Sequence, residues 1–114
     1  MTDVPGGTVV PLGDAIARLE ASGRKFVELF THGSLAVELY RPGDVDGQQP
    51  HSRDELYVVA AGSGAFLHGE QRSPVRAGDF LFVPAGVPHR FVDFTPDLTV
   101  WVAFYGPTGG ERSV

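Results

Sequence analysis

The sequence predicts an all-β domain of the jelly-roll kind, a sandwich or barrel of short antiparallel strands with one short helix near the N-terminus. Two observations carry this prediction. The 15 glycines and 9 prolines are spread along all 114 residues, which is typical of turns between many short elements. The segments between them are short and apolar, and Leu35–Tyr40 alternates with the period of two that a half-buried strand has. Eight to ten such strands favour a sandwich or barrel.

The elements follow one another in a simple order. A helix is predicted to begin at Asp14, whose side chain caps it, and to end at Gly23, with Ala15, Ile16 and Leu19 along it. Turns rich in glycine and proline then separate the strands. The strands are predicted at 26–30, 35–40, 54–60, 65–68, 71–75, 80–83, 89–94 and 98–105. Alternation does not decide which face of the last strand points inward, because both of its faces are apolar.

Length and charge limit the class of protein. A chain of this length forms one domain, so we expect a single domain over 1–114, with a loose arm at 1–11 and the barrel core at 35–105. The net charge of -5 argues against nucleic-acid binding, and the absence of cysteine excludes disulfides and thiolate metal sites. Neither a signal peptide nor a membrane-spanning run is visible, so we expect a cytoplasmic protein.

Two histidines and one glutamate have a spacing that favours metal binding. His51 and Glu55 are four residues apart, so in an extended strand both side chains leave on the same face. His89 begins another strand after a proline-rich loop and would reach the same site across the interior. Two imidazoles and a carboxylate suit non-haem Fe(II), and Mn, Zn and Ni accept similar ligands. We therefore expect one divalent metal ion, with Glu55 also serving as a catalytic base when it is not tightly bound.

Two motifs give the chain a resemblance to the cupin superfamily. They consist of Gly43, Gln49, His51, Glu55 and Gly62, and of Gly78, Pro84, Gly86, His89 and Asp93. The resemblance covers roughly Leu35 to Tyr105 and implies the double-stranded β-helix of that superfamily. It also implies a fourth metal-facing position, where this chain has Gln49 instead of histidine. The neutral carbonyl oxygen of glutamine is a weaker ligand, or it hydrogen-bonds a bound water.

The resemblance implies a metal-binding cupin that acts as an enzyme on a small organic molecule, by dioxygenase-like or isomerase-like chemistry. The alternative is a non-catalytic module that binds a small ligand, with the metal absent or structural. The aromatic side chains expected around the ligand are Tyr40, Tyr57, Phe82, Phe91 and Trp101.

A homodimer is the expected assembly. Leu56 and Val58 lie on the strand face opposite Glu55 and are also apolar, and a strand that is apolar on both faces is buried on both. A second layer or a subunit partner would cover that face, and symmetric pairs are the commonest oligomers. We expect no nucleic-acid or membrane partner.

Overall fold

The computed structural model describes residues 6–112 and within them contains one helix and eight strands. This confirms the prediction of a mostly β fold with one short helix. Residues 1–5 of the predicted arm lie outside the described residues, as do residues 113 and 114. The elements are α1 (Leu12–Ser22), β1 (Phe26–His32), β2 (Leu35–Tyr40), β3 (Asp54–Ala61), β4 (Ser63–His68), β5 (Gln71–Arg76), β6 (Phe80–Val83), β7 (His89–Val92) and β8 (Thr99–Tyr105).

Two antiparallel sheets make up the jelly roll over the described residues. The larger sheet has the strand order β1-β2-β8-β3-β6, and the smaller has the order β5-β4-β7. Tyr57 and Val102 of the larger sheet and Phe66 and Phe91 of the smaller one belong to a single buried cluster. The main core therefore lies between the two sheets. The smaller sheet has fewer strands, so it does not cover the whole inner face of the larger one.

The register of β8 settles which of its faces points inward. Val102 is paired with Tyr57 of β3 and with Glu38 of β2, whereas Trp101 is paired with Leu39. Directly opposite residues in adjacent strands share a face of the sheet. Tyr57 and Val102 belong to the core, so the even-numbered residues of β8 face inward and Trp101 faces outward.

Helix α1 covers the outer face of the larger sheet. Ala15 and Leu19 are buried there against Leu39 of β2. The helix ends as predicted, with Gly23 in the left-handed conformation at φ 67°. Its start was predicted wrongly. The N-cap is Pro11, whose carbonyl accepts the first helical hydrogen bond, and Asp14 lies inside the first turn.

Proline is favoured at the start of a helix because its ring fixes φ and its missing N–H is not needed there. Asp14 instead places a negative charge near the positive end of the helix dipole.

Over the described residues, no helix is both long and apolar enough to pass through a bilayer.

Six of the eight strands differ from their predicted bounds by one or two residues, and two of these differences follow from the backbone conformation of a single residue. Strand β7 ends at Val92 rather than at residue 94, because Asp93 adopts the left-handed conformation at φ 51°. Aspartate tolerates this conformation better than most residues do. Strand β4 begins at Ser63, within the predicted turn, because Gly62 alone makes the sharp change of direction at φ 81°.

Candidate metal centre

The structure brings His51, Glu55 and His89 together. Nε2 of His89 lies 2.9 Å from Oε1 of Glu55, and Nε2 of His51 lies 3.7 Å from Oε2 of the same carboxylate. One ligand atom from each residue lies within 4.8 Å of the other two. Glu55 and His89 are buried, whereas His51 is partly exposed. The three side chains thus form a cluster that could hold a metal ion.

Glu55 and His51 reach the cluster from different local structures. Glu55 lies on the inward face of β3, on the same side as Tyr57. His51 precedes the strand, in the irregular segment 41–53, so the expectation that both share one strand face was wrong. The His51 carbonyl accepts a hydrogen bond of 2.8 Å from the Gly86 amide, and its ring packs edge-on against Phe104 at 4.9 Å. These two contacts, rather than the alternation of side chains along a strand, hold the His51 ring in place.

His89 is the first residue of β7, and a hydrogen bond at its Nδ1 fixes the orientation of the ring. Nδ1 lies 2.8 Å from the carbonyl oxygen of Val87, to which it donates its hydrogen. In the neutral ring, Nε2 is therefore unprotonated and faces Glu55. Burial opposes the charged form of His89, but the Glu55 carboxylate and the Val87 carbonyl outweigh it, so the pKa of His89 is raised.

One oxygen of the Glu55 carboxylate, Oε1, lacks a hydrogen-bond donor among the described residues. The Glu55 side chain is almost fully buried. Despite the 2.9 Å approach of His89, the two atoms are not aligned as a hydrogen bond, and Oε1 has no donor among the described residues. A buried carboxylate oxygen without a donor is costly unless a positive charge is nearby. A divalent cation supplies that charge, and imidazole and carboxylate are ligands that such ions accept, so the three residues fit a metal ion.

A cavity of about 800 Å³ adjoins the cluster on the inner face of the larger sheet. Its wall includes two carboxylates, Glu38 and Glu55, and two cationic side chains, Lys25 and Arg53. Such a cavity is large enough for a small organic molecule. Its lining residues are Lys25, Phe26, Glu38, Tyr40, Gly47, Gln48, Gln49, His51, Ser52, Arg53, Glu55, Tyr57, Val102 and Phe104.

Two of the five aromatic residues expected around a ligand line this cavity, namely Tyr40 and Tyr57. The other three lie elsewhere in the described structure. Phe91 is buried between the sheets, where its ring lies 5.4 Å from that of Tyr57. Trp101 packs on the helix side because its register places it beside Leu39. Phe82 is paired with Leu56, on the outward face, and is 45% exposed.

Gln49 and Gln48 both line the cavity but differ in burial and in their hydrogen bonds. Gln49 lines the cavity, and its side chain is exposed. Gln48 is half-buried and lies deeper, where its Oε1 accepts a hydrogen bond of 2.8 Å from the Tyr57 hydroxyl. Hydrogen bonds in the irregular segment, rather than strand alternation, decide which glutamine points inward.

Sequence reasoning missed three residues of this region. Glu38 shares the strand parity of Tyr40, which was expected to face a ligand, so this signal was available. Asp46 and Gln48 gave no signal, because a polar residue in an irregular segment is ordinarily exposed. Asp46 is instead buried, with 3% of its surface exposed.

Two facing antiparallel sheets with a two-histidine, one-carboxylate cluster beside a cavity define a jelly-roll protein with a candidate metal site. The sequence profile of the cupin domain family matches residues 36–105. Uncharacterized protein SCO3923 from Streptomyces coelicolor is 34% identical over 98 residues, which span 84% of this chain and 93% of that protein. The chain belongs to the cupin domain family.

Solved structures show the same fold. DMSP lyase DddQ from Ruegeria pomeroyi DSS-3 superposes with a TM-score of 0.61 and 26% identity, over 71% of this chain and 46% of that one. A cupin 2 conserved barrel domain protein from Salinispora arenicola CNS-205 superposes with a TM-score of 0.60 and 20% identity, over 71% of this chain and 74% of that one.

Proposed function

We propose that this cupin is a metal-dependent enzyme that acts on a small organic molecule in the cavity beside the cluster. One observation carries the proposal. Three ligand atoms from two parts of the chain converge, and one of them, Oε1 of Glu55, is buried without a hydrogen-bond donor among residues 6–112. Side chains that serve only the core rarely leave a buried carboxylate oxygen in this state.

In this proposal His51, Glu55 and His89 hold one divalent ion, which is Fe, Mn, Zn or Ni. Gln49 offers a fourth oxygen from the cavity side or hydrogen-bonds a bound water. The ion, when bound, supplies a Lewis acid that polarises substrate oxygens. Glu55, when not tightly bound, accepts a proton from the substrate. Tyr40 and Tyr57 form part of the wall against which the substrate lies.

The cavity favours a small molecule with an apolar body and a polar or anionic group. Val102 and Phe104 provide an apolar floor, and Lys25 and Arg53 bring positive charge to the same wall. An organic acid, an enol or a catechol-like compound has these properties. Dioxygenase-like and isomerase-like reactions are the first to assay, and the 26% identity to a DMSP lyase adds lyase chemistry.

Metal analysis of protein purified without a histidine tag tests the proposal. We expect about one equivalent of metal per chain in the wild type and almost none in His51→Ala or His89→Ala. His68→Ala is the matched control, because that ring bonds Ser73 at 2.9 Å and lies outside the cluster. A wild type that takes up no metal from Fe, Mn, Zn or Ni would contradict the proposal. It would favour the non-catalytic module, which the weaker glutamine ligand at Gln49 also favours.

We further propose that the protein is a homodimer. On the outer face of the larger sheet, Phe80 and Phe82 are 62% and 45% exposed beside the half-buried Leu56 and Val58. A contiguous apolar face of this kind is typical of an interface. Sedimentation velocity should give twice the chain mass, and Phe80→Ser/Phe82→Ser should give a monomer. Val45→Ser, at another exposed apolar residue, should remain dimeric.

A further inference from the structure

Asp46 is a buried carboxylate that connects three parts of the chain. Its Oδ1 accepts hydrogen bonds from the Tyr40 hydroxyl at 2.5 Å and from the backbone N–H of Gln48 at 3.3 Å. Its Oδ2 accepts bonds of 2.7 Å from the Gln48 side-chain amide and from the backbone N–H of Phe91. Both oxygens are thus fully used, and the end of β2, the irregular segment and β7 meet at one side chain.

The segments that meet at Asp46 are those that carry the two imidazoles of the candidate metal centre. His51 lies five residues after Asp46 in the irregular segment, and His89 lies two residues before Phe91 in β7. Asp46 itself is not one of the clustered ligands. Its hydrogen bond to Phe91 therefore holds the His51 segment against the His89 strand from outside the cluster.

Gln48 extends this connection to Tyr57 and fixes the direction of its hydroxyl hydrogen. Because the Gln48 amide nitrogen donates to Asp46, its Oε1 faces Tyr57 and accepts the phenolic hydrogen at 2.8 Å. A phenol has one hydrogen to donate. The Tyr57 oxygen therefore presents a lone pair to Nε2 of His89, which lies 3.1 Å away.

As a result, three atoms with lone pairs lie close together, and no hydrogen lies between them. Nε2 of the neutral His89 ring, the Tyr57 oxygen and Oε1 of Glu55 all face one another. If Gln48 did not accept the Tyr57 hydrogen, that hydrogen would turn toward Nε2 of His89 or toward the Glu55 carboxylate, and in either place it would occupy a lone pair that a cation needs. A cation would then have to displace it.

We infer that Asp46 is a positioning residue for the metal centre and that it acts through Gln48 to keep the Tyr57 hydrogen away from His89. The inference rests on the proposed metal site. Outer hydrogen bonds of this kind commonly change metal affinity by about 10- to 100-fold, because they orient the ligands and keep their lone pairs available.

Titration of the metal-free protein with Co(II), a spectroscopic probe for divalent sites, tests the inference. We expect Asp46→Asn and Gln48→Leu each to weaken Co(II) binding by about 10- to 100-fold and to alter its visible absorption bands. Asp44→Asn makes the same chemical change at an exposed residue of the same segment and should bind as the wild type does. Circular dichroism establishes that each variant is folded. If Asp46→Asn does not fold, the Co(II) affinity of Gln48→Leu alone tests the inference.

A double-mutant comparison separates two effects of Gln48 on Co(II) affinity: the direction it gives to the Tyr57 hydroxyl hydrogen, and its packing. In the Tyr57→Phe background there is no hydroxyl hydrogen to direct, so Gln48→Leu should change Co(II) affinity by less than about twofold. An equal loss in both backgrounds, or wild-type affinity and absorption in folded Gln48→Leu, would overturn the inference while leaving the metal site intact. A wild type that binds no Co(II) would overturn the proposed function and this inference together.

Discussion

Oε1 of Glu55 and Nε2 of His89 lie 2.9 Å apart without the alignment of a hydrogen bond. The ring donates through its other nitrogen to Val87, so in the neutral state both facing atoms present lone pairs. This arrangement is unfavourable until a proton or a metal ion lies between the two atoms. The pair therefore connects the stability of the fold to occupation of the site.

Metal binding should stabilise the protein against heat. A ligand that binds only the folded state at 100 times its Kd adds about 2.7 kcal/mol, which raises the Tm of a domain this size by roughly 10 °C. We expect this shift on adding a divalent metal that fits the proposed site to the metal-free wild type, and its reversal by a chelator. Glu55→Gln removes the charged ligand and should show almost no shift. Equal shifts in both proteins would place the metal elsewhere.

Glu38 should make stability depend on pH. Burial raises its pKa, as do the charges of Glu28 and Glu55, whereas Arg24 lowers it. A carboxyl whose pKa is higher in the folded state favours folding at low pH, and this contribution is lost as pH rises through the folded-state pKa. Glu38→Gln should therefore have a higher Tm than the metal-free wild type at neutral pH.

That difference should disappear as the pH falls to about 4, where the wild-type carboxyl is also protonated. Thermal unfolding followed by circular dichroism across this range measures it. Glu70→Gln changes an exposed carboxyl in a turn and should follow the wild type at every pH. A Glu38→Gln curve parallel to the wild-type curve would refute the role given to Glu38.

A side chain at Gly62 should destabilise the fold. At its φ of 81°, an added Cβ would lie 2.7 Å from Cα of Leu98 and 2.7 Å from Oγ1 of Thr95. Gly69 has a similar φ of 60° but nothing within 4 Å of the added Cβ, so it is a matched control.

Gly69→Ala should cost about 1 kcal/mol for its left-handed conformation. Gly62→Ala should cost a further 1–3 kcal/mol, roughly, for the crowding. Urea unfolding measures both free energies. Equal losses would show that the loop around Leu98 yields to the added methyl group.

Leu19 should hold the helix against the sheet. It is 2% exposed and belongs to the cluster against which Trp101 packs. Leu19→Ala should lower the free energy of unfolding by about 2–4 kcal/mol and move the emission of Trp101, the chain's one tryptophan, to longer wavelength as water reaches the ring. Ile16→Val removes one methylene from a half-buried neighbour and should cost about 1 kcal/mol. Unchanged emission in Leu19→Ala would show that Trp101 does not depend on the helix.

The strands could be predicted from the sequence because their signals are local, and the three clustered residues because their types and spacing are distinctive. Gly23 ends the helix by its own conformation, and the turns that separate the strands are marked by glycine and proline. His51, Glu55 and His89 stood out because their residue types and spacing suit a metal.

The faces of β8 and the buried position of Asp46 could not be predicted, because both depend on contacts between distant residues. Val102 and Trp101 are both suited to a core, and only pairing with β2 and β3 distinguishes them. Asp46 is buried because the N–H of Phe91, 45 residues away, meets its carboxylate. Gln49 was expected from the spacing of the cupin motif, and that spacing gives no information on the hydrogen bond that Gln48 makes with Tyr57.

Strand β2 places alternate side chains in two different environments. Leu39 packs under the helix, while Glu38 and Tyr40 face the cavity. Substitutions at Glu38 would therefore change the wall of the proposed ligand cavity without loosening the packing on the opposite side. For directed evolution, Glu38 is the natural starting position of the two, because Tyr40 is also bonded to the buried Asp46.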